Sequence, residues 1–306
     1  MSVDLPTSET VTEAVSRAAA RRLEDDTLGA LEHVRLFDGG TDGVRGLFIE
    51  AFGPAHARRL RVTGPPDLAP LQQAILKGLP EAHGVYWRFG HAHQQGPDDG
   101  EMQVAEYGLK YHVQLLGQRN AGLFPQVRIA RRWLREHVEG RRILNLFSYT
   151  CAFGVVAAAH GARSTINVDT AKGVLAKGQA NYALNSLSID PRAFWRESAK
   201  EALKQLKKRG TRLDGVIIDP PPRAVFDKSK RWRFDPLKDL CPTVSASAAL
   251  LDEGGWLMVV NAGARVTDEA LIEAAGLGAP IWTATPDADC PTPEGRPPVR
   301  MMVMSR

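Results

Sequence analysis

The fold is decided by one stretch of the sequence, Arg142-Ile-Leu-Asn-Leu-Phe-Ser-Tyr-Thr-Cys-Ala-Phe-Gly-Val-Val-Ala-Ala-Ala-His-Gly-Ala162. It opens with an apolar run of the length that a buried parallel strand needs. Small and polar residues follow, and then an apolar helical pattern that stops at Gly161. A second strand, 164–169, ends on Asp169. This order predicts a parallel α/β sheet that holds a nucleoside, with the acid accepting hydrogen bonds from ribose hydroxyls. An ordinary strand–helix–strand crossover with a chance acid is the alternative.

The loop between the first strand and its helix narrows the ligand. Dinucleotide folds place Gly-x-Gly-x-x-Gly here, because a pyrophosphate needs bare backbone close by. This loop has one glycine, Gly154, and instead carries Phe147, Ser148, Tyr149 and Thr150. Such bulk argues against NAD and FAD. It suits a smaller nucleoside with an amino-acid tail, a description that S-adenosylmethionine fits.

A third stretch, Leu213-Asp-Gly-Val-Ile-Ile-Asp-Pro-Pro-Pro222, predicts another buried strand that ends in a proline-rich tip. Prolines cannot donate to a sheet ladder, so the strand must stop and expose its tip at the carboxyl edge of the sheet. The rigid backbone lets the Asp219 carboxylate and the Pro220 carbonyl point into one cleft as acceptors. We predict that Asp219 and Pro220 are the catalytic groups.

Three motifs carry a family resemblance: LNLFSYTCAFGVVAAAHGA, NVDTAKGVLAKGQANYALNSL and DGVIIDPP. They resemble class I S-adenosylmethionine-dependent methyltransferases. More narrowly, they are similar to the group related to the bacterial 23S ribosomal RNA methyltransferases that act on cytosine C5 and guanine N7. Upstream, YGLKYHVQLLGQRNAGLFPQVRIARRWL resembles the hairpin and lead-in helix of those enzymes, and HVRLFDGGTDGVRGLFIEAFGP resembles their small β-rich domain. The resemblance covers roughly residues 30–265.

The resemblance and the loop chemistry together assign cofactor binding. In this group an acid after the third strand usually receives the adenine amino group, and Ser198 stands in that place, so Ser198 or its backbone would substitute. Gln126 stands where relatives often carry an acid near the cofactor. The residues assigned to S-adenosylmethionine are Phe147, Ser148, Tyr149, Thr150, Cys151, Ala152, Asp169, Thr170, Ser198 and Gln126.

The predicted fold class is α/β, with a doubly wound seven-stranded methyltransferase (Rossmann-like) sheet and a smaller N-terminal α+β domain. The boundary is predicted at residue 100: 1–100 would form the small domain, a possible substrate-recognition domain, and 101–306 the methyltransferase domain. In the small domain we predict a helix over 11–23 capped by Ser8 or Thr10, a helix over 69–78, strands over 34–37, 46–51, 59–62 and 84–89, and a polar linker over 90–100.

In the second domain a hairpin over 103–115 and a helix over 127–138 are predicted to precede the sheet. Further strands are expected at 192–196, 255–261, 280–285 and 300–303, with helices at 172–187, 199–209, 237–250 and 268–276. The resemblance implies that the last strand runs antiparallel.

Bulk properties place the chain among ordinary globular proteins, with 43% hydrophobic and 24% charged residues. No apolar run approaches the length of a membrane span, and the N-terminus has no basic start with an apolar stretch. Three cysteines without metal-ligand spacing predict reduced thiols and no metal site. The expected location is therefore cytoplasmic.

Charge points to a polyanionic partner, since the net charge is +4 and the sequence pI is near 9.0. A basic run with interleaved aromatic residues follows the Asp219 tip, a composition suited to phosphates and stacked bases. For the second basic run, 204–212, a solvated helix face is the preferred interpretation. The residues predicted to bind an RNA substrate are Phe226, Lys228, Lys230, Arg231, Trp232 and Arg233.

Three functions remain open from the sequence. The first is methylation of a base nitrogen in RNA, most simply ribosomal RNA. Cytosine C5 methylation needs a thiolate that adds to the base. The cytosine-C5 enzymes of the resembled group carry a cysteine just past the fifth strand, and this chain reads Val260-Asn-Ala-Gly-Ala264 there, so that chemistry is disfavoured. The second is methylation of a small molecule or protein side chain, encouraged by Pro222 where amino-methylating enzymes often have an aromatic residue. The third is an inactive binding module.

Overall fold

The computed structural model describes residues 6–91, 93–226, 232–263, 265–294 and 298–306, with the backbone alone at 232 and 233. The chain divides into two compact units. One comprises Met1–Pro125 and Asp287–Arg296, and the other Gln126–Pro286 and Pro297–Arg306. The first unit therefore extends past the boundary predicted at residue 100 and includes the hairpin that was assigned to the second domain. No helix among the described residues is long and apolar enough to cross a membrane.

The first unit is built on a five-stranded sheet, in the order β1-β2-β3-β4-β5. All neighbouring pairs are antiparallel except β3 and β4. Two helices, α1 and α3, pack together, and α1 also lies against β1. The elements are α1 (Ser8–Leu23), α2 (Asp26–Gly29), β1 (His33–Asp38), β2 (Phe48–Phe52), β3 (Arg59–Gly64), α3 (Gln72–Gly78), β4 (Gly84–Phe89), β5 (His93–Gln95) and the hairpin β6 (Glu101–Glu106) and β7 (Leu109–Gln114).

Three sequence-based expectations for this unit need correction. The N-cap of α1 is Thr7, whose hydroxyl accepts from the backbone N–H of Thr10, so the helix begins at Ser8. The helix predicted over 69–78 is a 3-10 turn, Pro66–Leu71, followed by the short α3, because Pro70 cannot donate an α-helical hydrogen bond. The predicted linker 90–100 contains β5, which adds an edge strand to the sheet.

The second unit holds a seven-stranded sheet in the order β10-β9-β8-β11-β14-β16-β15. The first five of these strands run parallel, and β16 runs antiparallel to both of its neighbours. The predicted doubly wound sheet and its reversed last strand are thus confirmed. Its elements are α4 (Arg128–Leu134), β8 (Arg142–Leu146), α5 (Ala152–Ala159), β9 (Ser164–Asp169), α6 (Lys172–Leu184), β10 (Phe194–Arg196), α7 (Ala199–Lys208), β11 (Leu213–Ile218), β12 (Val225–Phe226), β13 (Trp232–Phe234), α8 (Pro236–Ala248), β14 (Leu251–Asn261), α9 (Asp268–Ala275), β15 (Trp282–Ala284) and β16 (Arg300–Ser305).

The order of the parallel strands positions the site. Strand β8 lies between β9 and β11, so the chain leaves the sheet in one direction for β9 and in the other for β11. At such a switch point the loops at the carboxyl ends of the strands separate and leave a crevice. The loop after β8, Asp169 at the end of β9 and Asp219 after β11 therefore belong to the same edge of the sheet.

Candidate active site

The loop after β8 has an unusual backbone. Phe147, Tyr149 and Cys151 all have left-handed conformations, with φ of 57°, 48° and 60°. Each such non-glycine residue costs about 1–3 kcal/mol and persists only where the surroundings hold it. Hydrogen bonds hold this loop: among them, the Ser148 N–H donates to Val168 O at 2.9 Å, and the Cys151 N–H donates to Ser148 O at 2.7 Å. Strained loops of this kind concentrate at ligand sites.

Asp169 connects this loop to the next strand. Its Oδ2 accepts from the Tyr149 N–H at 3.0 Å, and its Oδ1 accepts from the Ala171 N–H at 2.9 Å. The side chain is half-buried at the end of β9. A carboxylate offers about four acceptor positions, so each oxygen can accept one further hydrogen bond. Two adjacent acceptors suit a ribose diol, which is the predicted role of Asp169.

A buried polar network below the loop fixes how α5 packs on the sheet. Asn145 on β8 donates to Asn167 on β9 at 2.9 Å, and Asn167 donates to the Tyr182 hydroxyl at 3.0 Å. The Tyr182 hydroxyl also pairs with Thr165 at 2.8 Å. Gly154 of α5 lies directly over this network: a Cβ there would overlap Asn167 Oδ1 and come within 2.8 Å of the Tyr182 hydroxyl. The single loop glycine is therefore required by packing.

Gly154→Ala is expected to destabilise the protein by about 1–3 kcal/mol, because the added methyl group enters a filled space. Gly173→Ala is the matched control, since a Cβ at Gly173 on α6 meets nothing within 4 Å. That substitution should leave stability unchanged or raise it by up to about 1 kcal/mol through helix propensity. Urea unfolding of the two variants measures the difference. Equal unfolding midpoints for both variants would contradict the packing role of Gly154.

The N-terminus of α5 is open toward the loop. Its N-cap is Cys151, whose side chain makes no capping hydrogen bond. The Thr150 carbonyl accepts from Asn181 at 3.0 Å. Uncapped amides at a helix N-terminus suit a carboxylate such as that of the methionine portion of the cofactor.

Gln126 is a second residue whose surroundings fit the predicted cofactor. It lies in the 3-10 turn Pro125–Val127 just before α4, and its Oε1 is buried without a hydrogen-bond partner among the described residues. A buried acceptor that lacks a partner is costly unless a ligand completes it. An ammonium group, such as that of the methionine portion, would do so, and the assignment of Gln126 to the cofactor stays a prediction.

At the end of β10 the expected adenine-binding position is occupied by a capping residue. The Ser198 hydroxyl accepts from the Glu201 N–H at 3.2 Å and so caps α7. The Ser198 N–H donates to Glu197 Oε1 at 2.9 Å, and the Glu197 N–H in turn donates to Asp169 O at 3.2 Å. Glu197 therefore brings a half-buried carboxylate to this edge. It can serve as an acceptor for an adenine amino group alongside the predicted Ser198.

Asp219 directly follows β11 and is half-buried. Desolvation raises the pKa of Asp219 to about 7, although the positive charge of Arg131 acts to lower it. Arg131 is buried on α4, and its guanidinium lies 6.0 Å from the centre of the Phe153 ring at the start of α5. A carboxyl group with a pKa near neutrality is suited to accept a proton. Nothing along the chain places α4 beside Asp219, so the effect of Arg131 on this carboxyl group could not be predicted from the sequence.

The prolines after Asp219 form one wall of an open cleft with about 270 Å³ of empty space, solvent included. The other lining residues come from α8, from the end of β14 and from the chain that follows β14. No cysteine is among the lining residues, and at Gly263 an added Cβ would meet only Pro222 O, at 3.5 Å. The lining residues are Pro220, Pro221, Pro222, Pro236, Leu240, Val260, Asn261, Ala262, Gly263, Arg265 and Val266.

Strands β12 and β13 form a small hairpin and contain the two ends of the predicted substrate-binding run. Phe226 lies opposite Trp232 in this hairpin, and the Phe226 side chain is 49% exposed. Phe234 is buried, and its ring meets that of Phe147 edge-on with 4.8 Å between centroids. The hairpin is thereby tied to the cofactor loop. Lys228, Lys230 and Arg231 lie outside the described residues, as do the side chains of Trp232 and Arg233, and all five stay predictions.

The three cysteines are free thiols. Cys151 is buried against Gly178, and desolvation raises the pKa of its thiol to about 12. Cys241 lies on α8, as expected, and burial raises its pKa as well. Cys290 is buried in the first unit. Since the thiolate is the nucleophilic form, Cys151 and Cys241 are poor nucleophiles at neutral pH.

A sheet with one reversed strand, a strained loop, an acid after the second strand and an Asp-Pro-Pro tip define the class I methyltransferase architecture. The sequence profile of the S-adenosylmethionine-dependent methyltransferases matches residues 93–287. The chain therefore belongs to this family, and S-adenosylmethionine is its cofactor. The predicted family, enzyme class and cofactor are confirmed.

Among curated relatives, the chain is similar to the ribosomal RNA large subunit methyltransferase I of Salmonella arizonae, with 30% identity over 253 residues. The alignment covers 78% of this chain and 62% of that relative, so the chain spans less than two thirds of its length. A solved protein of Streptococcus mutans, assigned to the S-adenosylmethionine-dependent methyltransferases, is 22% identical with a TM-score of 0.83. That match covers 100% of this chain and 83% of the other. A methyltransferase from Agrobacterium tumefaciens is 20% identical with a TM-score of 0.64, over 85% of this chain and 88% of the other. These two structures support the fold.

Proposed function

We propose that this protein transfers a methyl group from S-adenosylmethionine to a base nitrogen of RNA, with ribosomal RNA as the substrate. The observation that carries the proposal is Asp219, a half-buried carboxyl group with a pKa raised to about 7 at the edge of a proline-walled cleft. Similarity to curated ribosomal RNA methyltransferases supports the choice of substrate.

When bound, S-adenosylmethionine would supply to the substrate nitrogen a methyl group activated by a positively charged sulfur. The task of the protein is then alignment and proton removal. Asp219 and the Pro220 carbonyl would hold the nitrogen through its N–H groups, and Asp219 would take the proton that the nitrogen loses. Asp169 and the loop 147–151 would hold the cofactor.

Nitrogen methylation needs no thiol, so the cysteines are expected to be dispensable. Cys151→Ala, Cys241→Ser and Cys290→Ser should each retain activity within a few-fold of wild type, after correction for the folded fraction. Cys151→Ala removes the thiol without adding bulk against Gly178. Radiolabelled methyl transfer to ribosomal RNA measures the activity. An essential cysteine, together with a covalent RNA adduct, would replace the base-nitrogen proposal by C5 chemistry.

The basic aromatic run is expected to contribute to binding of the RNA. Replacing Lys228, Lys230, Arg231 and Arg233 by Gln should weaken RNA binding and lower the salt slope by about 0.7–0.9 for each phosphate that the variant no longer neutralises. Trp232→Ala should cost about 1–3 kcal/mol if a base stacks on it. Fluorescence anisotropy against salt concentration measures both effects. Unchanged affinity in both variants would assign this segment to solubility alone.

Nucleoside mass spectrometry of ribosomal RNA, with and without the gene, tests the function directly. We expect one methylated nucleoside to disappear with the gene and to return with the wild-type protein. Asp219→Ala should not restore it. An unchanged modification profile would favour a small-molecule or protein substrate, the alternative that Pro222 keeps open.

A further inference from the structure

One segment of this chain carries a larger net positive charge than the chain as a whole. Residues 190–212 contain eight Lys and Arg residues against three Asp and Glu residues, a net charge of +5. The whole chain has a net charge of +4, so the remaining residues sum to −1. A protein that is otherwise close to neutral thus places its entire charge excess on β10, α7 and their flanking turns.

The lysines of α7 lie on one side of the helix. Four lysines, Lys200, Lys204, Lys207 and Lys208, occur at spacings of four, three and one, and all four are exposed. The opposite side is buried in the sheet core and consists of Ala199, Ala202, Leu203 and Leu206. Ten helical residues extend about 15 Å. The lysines therefore form a continuous cationic stripe along the outer surface of the second unit.

Neighbouring acids leave most of this charge unneutralised. Glu201 approaches Lys204 at 3.8 Å, with both side chains largely exposed, a contact that contributes little. Lys200, Lys207 and Lys208 form no ion pair with the described residues. Arg212, by contrast, has its charge balanced, because it pairs with Asp252 at 3.2 Å. We therefore leave it out of the stripe.

An aromatic residue adjoins the stripe. The guanidinium of Arg209 lies over the ring of the half-buried Trp195, 5.1 Å from its centre. The Trp195 indole N–H donates to Arg192 O at 2.6 Å, which fixes the ring. The side chain of Arg192 is 90% exposed and pairs with Asp190 at 3.0 Å, a surface contact that contributes little, and Arg196 is exposed as well. Ordered arginine beside an aromatic face is a recurrent feature of surfaces that bind nucleic-acid strands.

We propose that this surface, the α7 patch (Arg192, Trp195, Arg196, Lys200, Lys204, Lys207, Lys208 and Arg209), binds the phosphate backbone of the RNA substrate. The proposal rests on the proposed function, because it takes RNA as the partner. The patch is continuous with the cofactor edge of the sheet, since Arg196 at the end of β10 is in register with Asp169 at the end of β9. A strand held along α7 would therefore lead toward the edge where methyl transfer takes place. Flexible lysines suit this role, because backbone phosphates carry charge and no sequence information.

The experiment compares two variants that lose the same charge. The patch variant carries Lys200→Gln, Lys204→Gln, Lys207→Gln and Lys208→Gln, which preserve helix propensity. The control carries Gln in place of four exposed cations elsewhere, Arg17, Arg45, Lys77 and Arg163. Binding of a ribosomal RNA fragment is measured by anisotropy over a range of KCl concentrations, and cofactor binding by calorimetry.

We expect the patch variant to bind RNA about tenfold or more weakly at moderate salt, with its salt slope lowered by about 0.7–0.9 for each phosphate left without its lysine. The control variant should stay within about threefold of wild type, and both should bind S-adenosylmethionine normally. Replacing the four lysines by Arg should preserve the slope. A patch variant that matches the control, while wild type binds and methylates ribosomal RNA, overturns this inference alone.

If wild type neither binds nor methylates ribosomal RNA, the proposed function fails, and the RNA assignment of the patch fails with it. Binding of wild type to anionic vesicles that is lost in the patch variant, without any binding to RNA, would assign the surface to a membrane and overturn the proposal.

Discussion

Asp219→Ala is expected to abolish methyl transfer while cofactor affinity stays within a few-fold of wild type. The substitution removes the group that holds the nucleophile and accepts its proton, a contribution of about 10²–10⁴ in rate. Asp219 follows β11 on the same edge of the sheet as Asp169, so it belongs to the same crevice. The ribose is assigned to Asp169, so loss of Asp219 should leave cofactor binding largely intact. Single-turnover methylation and calorimetry measure the two quantities separately. A variant that keeps more than a tenth of the wild-type rate would remove Asp219 from catalysis.

Asp219→Asn distinguishes the catalytic role of Asp219 from its effect on the stability of the protein. The pKa of Asp219 in the folded protein is raised to about 7, above its ordinary value of 3.8, so the folded state disfavours ionisation. Its contribution to stability therefore falls as the pH rises toward and through 7. We expect Asp219→Asn to be at least as stable as wild type at pH 8 and still inactive. The wild-type rate should rise with pH through about 7, because only the ionised carboxylate accepts the proton.

Asp169→Ala is expected to have the second-largest effect, a loss of S-adenosylmethionine affinity of about 1.5–3 kcal/mol. The carboxylate would accept from the ribose diol, and it also holds the strained loop through the Tyr149 N–H and the Ala171 N–H. Both functions disappear together in the variant. Calorimetry with S-adenosylmethionine measures the effect, and unchanged affinity would remove Asp169 from the site.

Asp169→Asn tests the same residue with a smaller change in shape. An amide keeps nearly the same shape but turns one oxygen into an NH₂ group, which faces either the Tyr149 N–H or the Ala171 N–H. One backbone donor then loses its acceptor, so Asp169→Asn should also bind S-adenosylmethionine more weakly than wild type. Wild-type affinity in this variant would show that neither the charge nor the second acceptor matters.

The strands of the catalytic sheet were predictable because their signals are local. Buried parallel strands have largely apolar sequences, as at 143–146 of β8, where Asn145 is the one polar residue, and at 215–218 of β11. Prolines cannot donate to the sheet ladder, so those after β11 mark where that strand ends. The ends of elements were less predictable, because packing against distant residues decides them. The lead-in helix α4 ends at Leu134, four residues before its predicted end at 138, and β14 begins at Leu251, four residues before its predicted start at 255.

The candidate site was likewise predictable only in part. Its acids at 169 and 219 follow strands, so their common edge could be inferred from the sequence. Arg131 and the network around Tyr182 could not be inferred, because each acts across elements that are separate along the chain. Glu197 lies next to the predicted Ser198, and only the folded chain shows that its N–H donates to Asp169 O. The lysines of α7 were interpreted as a solvated face until their exposure, and the Trp195–Arg209 pair beside them, could be considered together.

The class of protein could be inferred from the order of apolar runs, loop residues and strand-ending acids, because that order is a property of neighbouring residues. Three further features became visible only in the folded chain: the left-handed backbone of the loop after β8, the raised pKa of Asp219 and the single-sided stripe of charge on α7. All three have the same cause. Backbone strain, desolvation and surface potential depend on atoms brought together from distant parts of the chain, and folding alone sets those distances.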